Sequence, residues 1–323
     1  MSIFVQPDYS REFKCIADRC TDTCCQGWEI DVDEESVEKY GRLDTALGAD
    51  IRENVYTDEF GAHFKLKKGD RCPFLRDDGL CRMIIEGGEE LLCSICREHP
   101  RFYSVFTGRT EMGYGLCCEE ACRLLCRHKD GIRLLIDGSC TETDELAALM
   151  LNARELAFNI IRNRSCDIFT RMQILSQSFS ADADALLLTD KTEQTLSVMA
   201  ELEPFDETWK PLVNELTEAP YAFCRNSPIE DHIIENLLFY FVYRYMTKAY
   251  TDDYSYSACV GFAVLSTRFI CASLELARRN AQLDETRVVD VIKNYSKQVE
   301  YCEENVIAIL NMLEGDTCVQ NIL

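Results

Sequence analysis

Between Cys15 and Cys126 the chain carries 12 of its 19 cysteines, in four groups. Cys15, Cys20, Cys24 and Cys25 fall in KCIADRCTDTCCQGW, and Cys72 and Cys81 in CPFLRDDGLC. Cys93 and Cys96 fall in CSICREHPR, and Cys117, Cys118, Cys122 and Cys126 in LCCEEACRLLC. Thiolates are soft ligands, and thiolates grouped in this way converge on one metal centre or two. The residues alone leave three readings open: a metal centre, a disulfide scaffold, or small buried hydrophobes. An odd total of cysteines argues against complete pairing.

The spacing narrows the chemistry. Cys20-x3-Cys24-Cys25 is not the Cys-x3-Cys-x2-Cys of the radical superfamily, and only Cys93-x2-Cys96 has the form that a zinc ribbon uses twice. Adjacent cysteines rarely ligate one ion together. Cys24 and Cys25 therefore point to a multi-iron cluster or to two neighbouring sites, and a dozen thiols are enough for a cluster plus a second site.

At 323 residues, 47% hydrophobic and 28% charged, the chain has the composition of a folded protein with a substantial core. A formal charge of −22 supplies no overall basic footprint for nucleic acid, and repels anionic membranes. The N-terminus MSIFVQPDYSREFKC lacks the basic start and long apolar run of a signal peptide. The most apolar segment, Ile233 to Met246, is too short to span a bilayer and contains Glu235, Asn236 and Arg244. These features predict a cytoplasmic protein that binds neither nucleic acid nor membrane. Cytosolic thiols are kept reduced, which favours the metal centre over the disulfides. The oligomeric state is not readable.

The elements that must position the thiols are short in the first part of the chain. Residues 1–14 read as an extended lead-in, and the first cysteine group as a polar loop. Trp28, Ile30 and Val32 alternate with Glu29, Asp31 and Asp33, which predicts a short strand. Asp33 then caps a helix to about Leu43. Short strands and turns follow over residues 61–116, with a turn at Asp77-Asp78-Gly79, a short helix at Glu89–Cys96 and a hairpin turning at Thr107-Gly108-Arg109. Glu119 to Arg127 reads as a helix and Ile132–Ile136 as a strand. Beyond about residue 138 helical periodicity takes over, with helices at about Glu142–Arg164, Ile168–Phe179, Asp184–Glu201, Pro228–Tyr250, Ser257–Asn280 and Glu285–Leu313. A looser stretch around Trp209 is punctuated by Pro204, Pro211 and Pro220. The cysteines at 140, 166, 224, 259, 271, 302 and 318 lack ligand spacing and read as small hydrophobes. The expected fold is mainly α: a small irregular α+β cysteine-rich metal-binding domain at 1–138 packed on a helical domain at 139–323, with the active cleft between them.

CIADRCTDTCCQGWEIDVD, CPFLRDDGLC, GEELLCSICREHPR and CCEEACRLL resemble, in order and approximate spacing, four blocks of the flagellin lysine-N-methylase family, within the wider CxxCxxCC-type zinc- or iron-chelating proteins. The likeness covers residues 13–127 well; beyond them it rests on ENLLFYFVYRY. It implies eight core ligands, Cys15, Cys20, Cys24, Cys25, Cys72, Cys81, Cys96 and Cys118, with Cys93, Cys117, Cys122 and Cys126 as extras. The family's Cys-Pro in the last block is Cys118-Glu119 here, and its Tyr-Pro-Arg is His99-Pro100-Arg101.

What the resemblance implies is a methyltransferase that uses S-adenosylmethionine and a [4Fe–4S] cluster to methylate exposed lysines of a protein, flagellin above all, with room for a second zinc or iron site. No G-x-G-x-G occurs, so the cofactor is not held by a Rossmann loop. Arg97 and Arg101 flank Cys96 and are the candidates to grip the cofactor's carboxylate. His99 is a ligand candidate, and Tyr103 and Tyr114 are candidates to line a methyl pocket. No residue is assigned as a catalytic base. The alternative is a non-enzymatic zinc- or iron-binding module.

Overall fold

The computed structural model describes residues 2–139, 144–181, 190–223, 229–280 and 282–314. Cys140, Cys224 and Cys318, and the expected helix starts at Glu142, Asp184 and Pro228, lie outside the described residues. The fold is mainly α, with 58% of residues helical. In chain order the first elements are β1 (Ile3–Pro7), β2 (Asp31–Val32), α1 (Glu34–Arg42), α2 (Ala46–Glu53), β3 (Val55–Thr57), β4 (Ala62–Phe64), α3 (Arg82–Gly87) and α4 (Ser94–Glu98). Next come β5 (Arg101–Phe106), β6 (Arg109–Tyr114), α5 (Glu119–Arg127) and β7 (Leu134–Gly138). The remainder is helical: α6 (Glu145–Ile161), α7 (Ile168–Ser178), α8 (Asp190–Glu201), α9 (Trp209–Glu218), α10 (Asp231–Tyr245), α11 (Lys248–Thr251), α12 (Tyr256–Asn280), α13 (Glu285–Val299) and α14 (Glu303–Glu314).

Two compact units interleave along the sequence. One comprises residues 14–102 and 118–120, and so holds every cysteine from Cys15 to Cys96 together with Cys118. The other comprises residues 1–13, 103–117 and 121–323. Residues 1–13, 103–117 and 121–138, which sequence assigns to the cysteine-rich domain, thus group with the helices. The reason is non-local pairing: β1 is no lead-in but an interior strand, in the sheet order β5-β6-β1-β7. It runs parallel to β6, with Ile3 opposite Arg109, and antiparallel to β7, with Val5 opposite Ile136.

In the cysteine-rich unit the alternation around Trp28 places Ile30 and Val32 in the core and leaves Glu29 and Asp31 exposed. The second sheet has the order β2-β4-β3. Asp33 caps α1 as its sequence position requires, accepting from the Ser36 amide at 2.9 Å. Its other oxygen accepts from the Ser94 amide at 2.7 Å. Burial alone would raise this carboxyl, but the Ser94 and Ser36 amides hold it at about 2. The Ser94 bond also explains why the expected helix Glu89–Cys96 is broken. A 3-10 turn at Glu89–Leu91 stops, and α4 starts afresh at Ser94. Tyr40 of α1, buried beside Phe64, donates to the Leu91 carbonyl at 2.8 Å and ties this stretch to the core.

In the helical unit β5, from Tyr103 onward, and β6 form the expected hairpin, turning at Thr107-Gly108, both with positive φ. At its centre α10 is buried on nearly every side and packs on α12. Its buried polar side chains are bonded, except that Asn236 Oδ1 has no partner among the described residues. Glu235 accepts from Arg164 at 2.9 Å and Arg171 at 2.6 Å, and Asn236 donates to the Leu125 and His128 carbonyls. Glu111 is held by both Nη atoms of Arg154 at 2.6 Å and by Arg109 at 2.5 Å. Glu300 accepts from Tyr240 and Tyr245 and pairs with Arg244 at 2.9 Å.

Three expectations in this unit change. The helix expected over Glu285–Leu313 breaks after Val299, where Glu300 turns inward to its tyrosines. The helix expected to Tyr250 breaks at Met246-Thr247, with Thr247 Oγ1 donating to the Arg244 carbonyl. The proline-punctuated stretch contains α9, because Pro211 falls in its first turn, where a helix has no amide bond to lose. Among the described residues, one helix, Tyr256–Arg279, is long and apolar enough to cross a membrane. Yet 94% of its apolar window is buried in the protein, as in a core helix.

Candidate metal centre

Four segments of the cysteine-rich unit bring sulfurs together. The Cys25 carbonyl accepts from the Cys72 amide at 2.9 Å, and the Asp70 carbonyl from the Gly27 amide at 3.1 Å, so the vicinal cysteines lie along the segment that leads to Cys72. The Arg76–Leu80 turn, with Gly79 at φ +79° and Arg76 bound to Asp78, folds the chain back until Leu75 bridges Cys81. Cys81 and Cys93 then sit at matching positions, the N-caps of α3 and α4. Cys72 and Cys93 are buried members of the core that includes Ile30, Phe64 and Phe74, and Cys25, Cys81 and Cys96 pack against it.

The thiols bond to one another, Cys25 to Cys81 and Cys96 to Cys93. Cys81 is lowered to about 6, because Cys25 donates to it and the Ile84 and Met83 amides add to that, together outweighing burial. Cys25 is driven far up by its bonds to Cys24 and Cys81 and then by burial. Cys93 is lowered by a bond from Cys96, and Cys96 is raised by the same bond and by burial. Cys72, pushed up to about 11 by burial, acts on both Cys25 and Cys96, and Cys24 acts on Cys96. Six sulfurs therefore form one electrostatically connected group, in which each thiolate raises the cost of the next. By the chemistry of the donor set, soft thiolates grouped in one unit, these six residues are the candidate ligands of a thiophilic metal.

Of the eight core cysteines inferred from sequence, this group contains Cys24, Cys25, Cys72, Cys81 and Cys96. Cys15 is exposed, and Cys118 is half-buried in the same unit. Cys20 faces a carboxylate: its Sγ lies 3.6 Å from Glu119 Oε2, and the thiol is pushed up to about 11, chiefly by burial. Glu119, which stands where the resembling family has proline, is buried and accepts from the Thr21 amide at 2.8 Å and hydroxyl at 2.7 Å. It fastens the first cysteine loop. Cys93, set aside as an extra, joins the group, and its signal was the one CxxC spacing in the chain. Cys117, Cys122 and Cys126 belong to the helical unit. There Cys122 donates to the Leu116 carbonyl at 2.8 Å, and burial raises Cys126 to about 12. Cys259 and Cys271 are buried, while Cys166 and Cys302 are partly exposed.

Arg97 is exposed, 3.5 Å from Ser94 Oγ and 3.9 Å from Glu98, and Arg101 reaches the Arg97 and Glu98 carbonyls at 3.5 Å, at the end of α4. His99 packs against Trp28, with ring centroids 5.5 Å apart. Tyr103 is exposed, and Tyr114 stacks on Phe13 at 4.3 Å in the helical unit. That unit also contains a cavity of about 230 Å³, lined by Trp209, Phe269 and Tyr295 and by Asp206, Glu215 and Asp290. Aromatic faces with carboxylates suit a cationic group.

Residues 217–321 match the family described as the FliB lysine N-methylase C-terminal domain. A lysine-N-methylase of Salmonella choleraesuis is 27% identical over 135 residues, 40% of this chain and 34% of that protein. The lysine-N-methylase of Salmonella typhimurium is 26% identical over 135 residues, with the same coverage of both chains. The flagellar biosynthetic protein FliU of Salmonella muenchen is 26% identical over 135 residues, 40% of this chain and 80% of that protein. The match thus spans about a third of the length of the two lysine-N-methylases. No solved structure matches.

Proposed function

We propose, from the match of residues 217–321 to the FliB lysine N-methylase C-terminal domain and the likeness to the Salmonella lysine-N-methylases, that the chain is a member of the flagellin lysine-N-methylase family and transfers a methyl group from S-adenosylmethionine to lysine side chains of a protein substrate, flagellin first among them. The observation that carries this reading is the conjunction of the family match with the connected group of six cysteines.

A lysine amine titrates near ~10.4 in water and attacks only when neutral. Its lone pair displaces the sulfonium: the N–C bond forms, the C–S bond breaks, the neutral thioether leaves and the nitrogen's extra proton passes to solvent. The protein's part is to position the amine in line and to exclude water, which favours the uncharged form. The cavity beside Trp209 and Tyr295 is our candidate for the cationic partner, and Arg97 and Arg101 are our candidates for the cofactor carboxylate. Three of Cys24, Cys25, Cys72, Cys81, Cys93 and Cys96 would hold a [4Fe–4S] cluster with its fourth iron left open, and the rest are candidates for a second site. Cys15, Cys20 and Cys118 remain for the cluster or for a second zinc or iron site. When bound, such a cluster supplies an iron position for the amino-acid end of the cofactor.

The test is anaerobic purification with iron, sulfide and zinc analysis, followed by incubation with methyl-labelled S-adenosylmethionine and flagellin. We expect a brown protein with about four irons per cluster and label on flagellin lysines. A colourless zinc protein that labels nothing would overturn the proposal in favour of a non-enzymatic metal-binding module.

A further inference from the structure

The three-stranded sheet of the cysteine-rich unit gathers a second set of donors, made of oxygen and nitrogen. His63 lies on the central strand β4, opposite Asp31 of β2 and Tyr56 of β3. Glu29 precedes Asp31 by two residues and follows the same face of extended chain. Nδ1 of His63 is 2.9 Å from Asp31 Oδ1 and 3.5 Å from Glu29 Oε1, and Nε2 is 3.2 Å from Asp58 Oδ1. The imidazole is 5% exposed, whereas both β2-side carboxylates are open to solvent. Tyr56 holds Glu29 in place by donating to Oε1 at 2.9 Å.

The arrangement around Asp58 fixes the imidazole. The amides of Phe60 and Gly61 donate to Asp58 Oδ1 at 2.8 and 3.2 Å, which aims that carboxylate at Nε2. Burial disfavours a charged imidazole, but the Asp31, Glu29 and Asp58 carboxylates outweigh it and raise the pKa of His63. In the neutral tautomer with its proton on Nε2 toward Asp58, Nδ1 presents its lone pair beside the Asp31 and Glu29 oxygens, where a cation takes the place of the second proton. Among the described residues, these are the three ligand side chains whose donor atoms all lie within 4.8 Å of one another. Ligands ~2.0–2.2 Å from one ion, at angles between octahedral and tetrahedral, lie roughly 2.8–3.6 Å apart. The two Nδ1 distances fall inside that interval.

We propose that Glu29, Asp31 and His63 Nδ1 form a divalent-cation site, separate from the thiols, with Asp58 as the partner that orients the imidazole. A carboxylate on the far nitrogen is the usual support of a metal-binding histidine. Two carboxylates and one imidazole leave positions for water, and suit a harder ion than the thiolates select. Bound there, the cation pins the strand that follows the vicinal cysteines to the β3–β4 hairpin.

The full chain titrated with Mn²⁺, with free ion followed by its paramagnetic resonance signal, tests the site, because Mn²⁺ competes poorly for thiolates. One ion per chain is expected. Asp31→Asn and Glu29→Gln, both surface changes that thermal melting should show to be folded, are expected to abolish this binding. Asp58→Asn should weaken it about 10–100-fold. The proposal is overturned if wild-type protein leaves millimolar Mn²⁺ free, as it would if His63 simply carried a second proton. It is equally overturned if Asp31→Asn and Glu29→Gln bind as wild type does.

Discussion

The two units solve the same problem, the burial of charge, in opposite ways. In the helical unit each buried carboxylate has a built-in counterion: Glu111 has Arg154, Glu235 has Arg171 and Glu300 has Arg244. In the cysteine-rich unit the sulfurs of Cys25, Cys72, Cys81, Cys93 and Cys96 face one another. One unit carries counterions for these carboxylates within its own fold, and the other would gain its positive charge from a bound cation, as proposed above. The protein's two tryptophans fall one in each unit, Trp28 and Trp209, so each can be followed separately.

The largest effect should come from metal removal. Structural thiolate sites contribute on the order of 10 kcal/mol. A chelator is therefore expected to abolish hydrogen-exchange protection and the native Trp28 emission across residues 14–102, while amides of α10 and α12 keep theirs. Cys81→Ser should act as chelation does, and Cys271→Ser should not. Equal loss in both units would erase the distinction between them.

The converse break is Arg154→Met, which leaves Glu111 buried without its partner and should cost about 3–5 kcal/mol. Denaturant unfolding read from Trp209 would show it, with metal content per chain unchanged. A smaller effect follows from acid. Burial raises Glu111 and Glu235, but their arginines outweigh it, so both are held below the ordinary 4.5. Carboxyls depressed in the fold stabilise it fully above their unfolded value, and that contribution is lost as pH falls through the folded value. Trp209 unfolding midpoints measured across a pH series should therefore drop below pH ~4.5. A flat midpoint there would mean these pairs do not hold the helical unit together.

How much of this was legible depended on the range of the interactions involved. Asp33 as a cap, the turn at Thr107-Gly108 and α5 from Glu119 to Arg127 are local, and the sequence shows them. The break at Glu300 was hidden, because the tyrosines it accepts from, Tyr240 and Tyr245, lie more than fifty residues away along the chain. β1 was misread for the same reason: a strand this short declares itself only through its partners. In the candidate metal centre, grouping and spacing pick out Cys24, Cys25, Cys72, Cys81 and Cys96, which the fold places in one unit. That Cys93 joins them, and that Cys20 faces Glu119, required the fold.

The interleaving of the units also sets an order of events during synthesis. β1 leaves the ribosome ahead of the cysteines, yet its partners β6 and β7 begin at Arg109 and Leu134, about a hundred residues later. By then every cysteine from Cys15 to Cys96 has emerged, while the first strand still waits unpaired. The nascent chain therefore has an interval in which its sulfurs are available to a metal donor before the sheet that brackets them in sequence can close. A metal bound by these thiols would be delivered in that interval, as a step of biogenesis rather than of the finished protein.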